Sequence, residues 1–225
     1  MAARTELSRA LSAILAGGMI SIFCSGAALA ASCNDQRGTV IFEDNFADDS
    51  GGWGWITDPN LKFGGGTWSL HLDPKYTNWG NLNTTFNAQE ADYCMEVVVP
   101  KSVAPGNAVS LGLAFWANDT DNFYVASIDS SGHATLYRKA AAKWQNIFDL
   151  ASPGVKFEPG SIAAVRVQAI GNVIVFSVNG VELKRVRAQI PSGPLRFGIY
   201  FETQNGNPPP GVTVSIKKFR VTSGQ

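Results

Sequence analysis

Short segments in which apolar and polar residues alternate follow one another along most of this chain. The clearest stretch runs from Val165 to Val186 and divides into three strands at Gly171-Asn172 and Asn179-Gly180. Both dipeptides tolerate the positive φ that two-residue hairpin turns require. Further strand candidates lie at 39–43, 67–73, 93–99, 109–115, 123–128, 134–138, 144–150, 195–202 and 212–221. About a dozen strands without a segment of helical period predict an all-β fold, an antiparallel two-sheet β-sandwich.

The first 30 residues have the pattern of a removable export signal. Arg4 and Arg9 precede an apolar stretch, and Ala28-Leu29-Ala30 is a small-x-small cleavage site. Glycines and serines interrupt the apolar stretch, so it would span a bilayer poorly. We expect cleavage near Ala30/Ala31 and a secreted or periplasmic protein, with an uncleaved anchor as the alternative. Residues 31–225 are then expected to form one sandwich domain without a membrane span.

The charge balance argues against polyanionic partners. Removing the predicted signal leaves 16 basic and 17 acidic residues, a net charge of −1. Without a basic excess we expect neither nucleic acid nor anionic lipid as a partner. Charged residues are 16% and aromatic residues 11% of the chain, which is typical of a packed β domain and not of a disordered one.

Two cysteines remain after the predicted cleavage, Cys33 and Cys94. Two thiols in an exported protein favour a disulfide, which would tie the mature N-terminus to an early strand. The alternative is lipidation of Cys33, although the preceding Ala30-Ala31-Ser32 lacks the leucine usual three residues before a lipidated cysteine.

The chain resembles the concanavalin A-like lectin and glucanase jelly rolls, and within them bacterial secreted domains of the 3-keto-disaccharide hydrolase type and laminin-G-like domains. The residues that carry the likeness are Phe42–Phe46 with Gly51–Trp53, Asp121–Val125, Tyr137-Arg138, Asn172–Gly180, Gly198–Glu202 and Lys218–Val221. The resemblance covers about residues 38–222. It implies a jelly-roll fold and a protein that binds or cleaves carbohydrate.

Strand alternation separates each apolar face from a second face of small, aromatic and polar residues. We hypothesise that these second faces join into a groove that binds saccharides, floored by Gly112, Ala114 and Gly198. The predicted lining residues are Trp116, Tyr200, His71, Asp73, Arg196 and Glu202. Aromatic rings cover the CH faces of pyranoses, and the polar groups bind their hydroxyls. An ordinary solvated sheet face has a similar pattern.

Two aromatic residues in a polar loop, Tyr76 and Trp79, are further candidates for ligand binding. Loops carry function more often than regular elements do. The alternative interpretation is that these rings close one end of the sandwich.

The evidence for catalysis in the sequence is thin, and whether the protein is an enzyme stays open. Family-16 glucanases carry their carboxylates as E-x-D-x-E or E-x-D-x-x-E, whereas this chain has Glu90, Asp92 and Glu96, one residue too far apart. A retaining glycosidase needs carboxyls about 5–5.5 Å apart, whereas Asp92 and Glu96 would lie roughly 13 Å apart in a regular strand.

Resemblance to keto-glycoside-cleaving domains implies a carboxylate or histidine that abstracts a proton beside the keto group. The candidate catalytic set is therefore His71 with Asp73 or Glu202. A strand histidine can equally be structural.

No cofactor and no metal centre are predicted, because no Cys/His cluster has zinc spacing. The oxygen-rich turn Asn118–Asn122, or Asp44 with Asn45, could hold a structural calcium ion of the kind laminin-G-like relatives have. Three functions follow: a carbohydrate-binding domain, a glycoside-cleaving enzyme using the same groove, or an envelope protein-interaction domain.

Overall fold

The computed structural model describes residues 32–53, 59–72, 79–83, 90–100, 108–151, 154–155, 158–203 and 212–223. The predicted export signal and the predicted site residues Asp73 and Tyr76 lie outside these ranges, as does the side chain of Trp79. Within the described ranges there is one 3-10 turn, Cys33–Asp35, and no helix long and apolar enough to cross a membrane.

Strands make up most of the described residues. They are β1 (Val40–Asp44), β2 (Leu61–Phe63), β3 (Trp68–His71), β4 (Trp79–Asn83), β5 (Ala91–Val98), β6 (Val109–Asp119), β7 (Asn122–Asp129), β8 (His133–Ala140), β9 (Lys143–Ala151), β10 (Ile162–Ile170), β11 (Val173–Val178), β12 (Val181–Arg187), β13 (Arg196–Thr203) and β14 (Thr213–Ser223). The all-β prediction is confirmed.

Two antiparallel sheets form the sandwich. An eight-stranded sheet has the order β12-β11-β10-β5-β14-β3-β2, and β1 pairs with β14 further along the edge that β3 also uses. A six-stranded sheet has the order β4-β13-β6-β7-β8-β9. The N-terminal half of the chain supplies strands to both sheets, so strands close in sequence such as β3 and β4 lie in different layers.

Local sequence explains the tight hairpins. Asn179 and Gly180 have φ of 49° and 79° between β11 and β12, as the Asn-Gly turn predicts. The β8–β9 hairpin turns at Ala141 and Ala142, which also have positive φ, 48° and 62°. Alanine adopts this region only at a cost, because its Cβ crowds the backbone.

The core lies between the two sheets and consists of the inward residues of alternating strands. Leu111, Leu113 and Phe115 of β6 meet residues such as Val165 and Phe219 of the opposite sheet in one continuous apolar cluster. This burial of one face in each sheet is the main driving force for a two-layer β fold. The remaining face of the six-stranded sheet is free to carry other chemistry.

The predicted disulfide is present. Cys33 and Cys94 are bonded with their Cα atoms 5.4 Å apart. Cys94 lies on the outer side of the eight-stranded sheet between Arg166 and Arg220. The Cys33 amide also donates a hydrogen bond of 3.0 Å to the Glu96 carboxylate. The bond leaves no thiol at Cys33 for the alternative, lipidation.

Candidate ligand-binding face

The side of the six-stranded sheet that points away from the core, here called the outer face, carries the candidate site. Cross-strand register aligns its residues in rows. One row is Leu82, Gly198, Ala114, Val125, Tyr137 and Asn146, and the next is Gly80, Tyr200, Gly112, Ser127 and Thr135. The predicted floor of Gly112, Ala114 and Gly198 is therefore found at the middle of this face.

The outer face curves inward around these small residues. Strands β9 and β13 are four steps apart, about 19 Å in a flat sheet, yet the rings of Trp144 on β9 and Tyr200 on β13 have centroids 5.8 Å apart. At Gly112 the neighbouring strand comes so close that a Cβ atom would lie 2.2 Å from the Ala126 carbonyl oxygen. The close approach requires glycine.

Four aromatic side chains occupy the hollow that this curvature creates; we call them the ring cluster. They are Phe123, Tyr137, Trp144 and Tyr200, and Trp144 makes edge contacts with the other three at centroid distances of 5.5, 6.2 and 5.8 Å. Phe123 and Tyr200 cover Ala114 and Val125. Trp144 remains 44% exposed. The expected groove is thus filled at its centre by the protein's own rings, with Trp144 uppermost.

Tyr200 has an unusual environment for a tyrosine. Only 3% of the residue is exposed, and its hydroxyl has no hydrogen-bond partner among the described residues. Burial, and then the nearby Glu202 and Tyr137, raise the pKa of Tyr200 strongly. Buried hydroxyls are normally paired, and the Tyr200 hydroxyl is one of a few exceptions in the described part of the chain.

Glu202 lies next to this ring on the same strand face, half-buried. Loss of solvation raises the pKa of its carboxyl, and no hydrogen bond or charge partner within the described part of the chain offsets the shift. An unpaired, partly desolvated carboxylate is typical of functional sites. Of the predicted catalytic residues that the structure describes, Glu202 is therefore the one whose side chain has no partner among the described residues.

Three further polar residues that the sequence did not single out lie at the same end of the face. Ser110 pairs across the sheet with Glu202 on one side and with Asp129 on the other, and Asp149 pairs with Thr135. The His133 Nδ1 atom is 3.6 Å from Asp149 and 4.0 Å from Asp129. Strict alternation in β8 was the available signal, because it places His133, Thr135, Tyr137 and Lys139 on one side.

Trp116 lies in the core, and its predicted place on the groove is wrong. Its φ of 47° breaks the alternation, and the pairing register with both neighbouring strands shifts there. The ring is 0% exposed and packs against Phe115 and Tyr124. A residue in left-handed conformation at a bulge points to the other side of the sheet.

His71 is on the opposite surface of the sandwich, so the predicted pairing with Glu202 is wrong. Strand β3 belongs to the eight-stranded sheet and buries Trp68 and Leu70, which turns His71 outward on that sheet. Its Nδ1 atom is 3.3 Å from the Thr213 hydroxyl. Two sheets and the core separate His71 from Glu202.

The other predicted residues are placed as follows. Arg196 starts β13 on the outer face, where its guanidinium donates to the Asn118 carbonyl. Trp79 begins β4 at the edge of the same sheet, opposite Phe201. On the other sheet, the Arg166 Nε atom donates a hydrogen bond of 2.8 Å to the Asp92 carboxylate, and the Cys33 amide donates one to the Glu96 carboxylate. These two carboxylates of the mis-spaced glucanase-like set therefore have structural partners.

The predicted calcium positions make internal hydrogen bonds. The Asp44 carboxylate accepts from the Phe46 amide and the Trp53 indole at 2.7 and 2.6 Å. Asp119 accepts from the Asp121 amide and the Asn122 side chain. Among the described residues, no three His, Cys, Asp or Glu side chains converge on a point that could hold a metal ion. Calcium binding stays a prediction.

Comparison with solved structures confirms the predicted jelly-roll fold. A structure described as a native glycosidic hydrolase superposes with a TM-score of 0.61 at 14% identity, over 82% of this chain and 96% of that one. A Bacillus licheniformis beta-glucanase superposes with a TM-score of 0.61 at 14% sequence identity, and the match covers 84% of this chain and 100% of that one. A prokaryotic lichenase from a mouse hindgut metagenome superposes with a TM-score of 0.59 at 13% sequence identity, and the match covers 82% of this chain and 99% of that one.

At these identities the likeness establishes the fold and not the activity. No protein-family model matches the sequence, and the search of curated proteins returns no relative.

Proposed function

We propose that this protein is an exported domain that binds carbohydrate on the outer face of its six-stranded sheet. The observation that carries the proposal is the exposed Trp144, supported by three other rings on the same sheet face as the half-buried Glu202. A rigid aromatic surface beside hydrogen-bonding groups matches the two sides of a pyranose ring.

Two features support export. The first 30 residues have the composition of a signal peptide. The Cys33–Cys94 disulfide is of the kind that persists in oxidising compartments.

Binding is favoured over cleavage because Asp129, the carboxylate across the sheet from Glu202, already has hydrogen-bond partners. Asp129 is directly across from Glu202, two strand spacings or about 10 Å away. Its Oδ1 atom accepts bonds from the Ser131 amide, the Ser131 hydroxyl and the His133 amide at 2.8, 2.6 and 3.0 Å. This carboxylate fixes the β7–β8 turn and is not free to activate water.

The test is a glycan array that includes β-glucans, probed with wild type and Trp144→Ala. We expect the variant to stay folded and to lose about tenfold in affinity, the size of a good aromatic contact. Ile162→Ala is the matched control, because Ile162 is also exposed but lies on the other sheet. Wild-type affinity in Trp144→Ala would overturn the proposed binding surface.

Glycoside cleavage is the second candidate, and Glu202 is the observation that favours it. Desolvation raises the pKa of the Glu202 carboxyl, which is the direction that suits a general acid. Incubation with mixed-linkage β-glucan and with 3-keto-disaccharides, followed by product analysis, tests it. Product formation by wild type and its loss in Glu202→Gln would support cleavage, and absence of product would leave binding. An array with no bound glycan would instead favour a protein-interaction domain.

A further inference from the structure

A cavity at one corner of the sandwich, here called the corner cavity, adjoins the ring cluster. It has a volume of about 320 Å³ and lies where the β6–β7 turn meets the segment that leads into β13. The residues that line it are Asn118, Asn122, Arg138, Lys139, Gln189, Ile190, Pro191 and Ser192. These described residues include two cations and three amides but no carboxylate, so the corner cavity favours a polar group that is neutral or negatively charged.

Lys139 connects the corner cavity to the exposed indole of Trp144. Its ammonium lies 5.8 Å from the centroid of the Trp144 ring and 5.7 Å from that of Phe123. Lys139 and Trp144 are also directly paired on β8 and β9. A saccharide that lies on Trp144 would therefore place its substituents, or its next sugar, at the entrance of the corner cavity.

Both cations of the corner cavity have N–H donors left over. The Arg138 guanidinium donates one hydrogen bond of 3.1 Å to the Gln189 side chain, and its other N–H groups make none within the described ranges. The Lys139 ammonium donates to the Thr120 carbonyl at 2.9 Å and lies 3.0 Å from the Asp121 carboxylate. Because a guanidinium has five donors and an ammonium three, the two side chains can bind a further anionic group together.

The Asp121 carboxylate indicates the chemistry of that group. This side chain is 54% exposed, and its partner is a cation of the corner cavity, Lys139. Exposed ion pairs contribute little free energy, so the carboxylate of a ligand can take the place of Asp121 at the ammonium. A planar carboxylate also matches the two-pronged donor geometry of the Arg138 guanidinium.

The attraction is local and suits a single anionic group. After the predicted signal cleavage the chain has a net charge of −1, so no excess of positive charge draws in a polyanion. Glu202 on the same sheet face does not oppose an anion at this corner. It is six residues from Arg196 along β13, a distance of about 20 Å in a strand.

We propose that the saccharide on Trp144 carries a uronic acid, whose carboxylate is bound by Lys139 and Arg138 at the corner cavity. This inference rests on the proposed carbohydrate binding and specifies the class of saccharide. It predicts that an acidic oligosaccharide binds more tightly than the neutral one of the same linkage, and that Asp121 competes with the ligand.

A glycan array with paired probes tests this inference. Oligosaccharides with one glucuronic or galacturonic acid are printed beside the same compounds after reduction of the carboxyl to the alcohol. We expect an acidic probe to bind at least about tenfold more tightly than its reduced partner, the effect of one charge-assisted hydrogen bond. Added salt should weaken its binding, because screening reduces the attraction.

The array separates failure of this inference from failure of the proposed function. Binding of neutral glycans without a preference for any acidic probe would overturn the inference and leave the proposed function intact. Preference for sulfated glycans over the uronic acids would also overturn it. An array without any bound glycan would overturn both.

Removing either cation locates the interaction. Lys139→Gln and Arg138→Gln should each reduce affinity for the preferred acidic probe by about tenfold. Lys62→Gln is the matched control, because Lys62 is exposed and lies on β2 of the other sheet. Wild-type affinity in both corner-cavity variants, with folding confirmed by circular dichroism, would contradict the site.

Removing the competing carboxylate gives a test of opposite sign. Asp121→Asn should raise affinity for the acidic probe by about two- to fivefold, the contribution of an exposed ion pair. A purely structural role of Asp121 would not increase affinity. Glu158→Gln is the matched control, because Glu158 is exposed and precedes β10 of the other sheet. Unchanged or lower affinity in Asp121→Asn would contradict binding of the ligand's carboxylate at Lys139.

Discussion

Two tryptophans illustrate how a single backbone angle decides the role of a residue. Trp116 continues the alternation of β6 in sequence, yet its φ of 47° turns the ring into the core. Trp144 keeps the alternation of β9 and is exposed above the ring cluster. Tryptophan has no intrinsic preference for positive φ, so the bulge at Trp116 has no signal in the sequence.

Replacing Trp116 by alanine should lower the free energy of unfolding without changing ligand contacts. Removing a fully buried indole leaves a cavity and costs about 3–5 kcal/mol. The expected result is a large fall in the denaturant midpoint at unchanged slope. A midpoint within error of wild type would show that Trp116 is not in the core.

Glu202 links function to stability through its protonation. Burial raises the pKa of the folded carboxyl above the unfolded value of 4.5, so the folded state holds the proton more tightly. The carboxyl of Glu202 therefore stabilises the folded state at pH values below its unfolded-state pKa. This contribution is lost as the pH rises through its folded-state pKa.

Glu202→Gln should therefore be more stable than wild type at pH 7, with a gain that shrinks toward pH 4. We expect an increase in melting temperature no larger than the roughly 2–4 °C that 1 kcal/mol gives in a domain of this size. Melting curves across this pH range, with Glu158→Gln as control, measure it. A gain independent of pH would contradict the proposed desolvation of Glu202.

At the scale of elements, hairpins differ in how well sequence encodes them. Asn179-Gly180 specifies its turn by residue type, and the β11–β12 hairpin is found where it was predicted. The β8–β9 hairpin turns on two alanines, which carry no turn signal. Both strands were still predicted from alternation, because period two does not depend on the turn.

Changing Ala141-Ala142 to Asn-Gly should stabilise the hairpin that carries Trp144. Both positions have positive φ, and relieving left-handed alanine is expected to contribute about 1 kcal/mol. Thermal denaturation should show a higher melting temperature with glycan affinity retained. A lower melting temperature would mean that the turn does not have the type I′ conformation.

At the scale of the whole molecule, the order of the strands could not be predicted from the sequence. The sandwich class followed from alternation and turns, but the division of strands between layers depends on pairings such as β5 with β14 and β6 with β13. For this reason the prediction placed His71 beside Glu202, although their strands are in different sheets. The sheet face on which Tyr200 and Glu202 lie was predictable, because alternation within their own strand determines it.

The disulfide provides a test at this scale, because it lies on the sheet opposite the proposed site. Cys33 and Cys94 are 61 residues apart, and a loop of that length contributes about 4 kcal/mol in the chain-entropy model. A double Cys33→Ala/Cys94→Ala variant should melt at lower temperature yet bind glycan with unchanged affinity below its transition. Loss of binding in the folded variant would contradict the assignment of the site to the six-stranded sheet.

Strand β9 is the last of its sheet, and among the described residues it pairs on the β8 side alone. Fraying of such a border strand requires far less free energy than global unfolding. Because β9 carries both Trp144 and Phe148, its fraying would withdraw the first from the ring cluster and the second from Phe176 of the opposite sheet. The exposed ring of Trp144 therefore depends for its position on the strand that is least secured in its sheet.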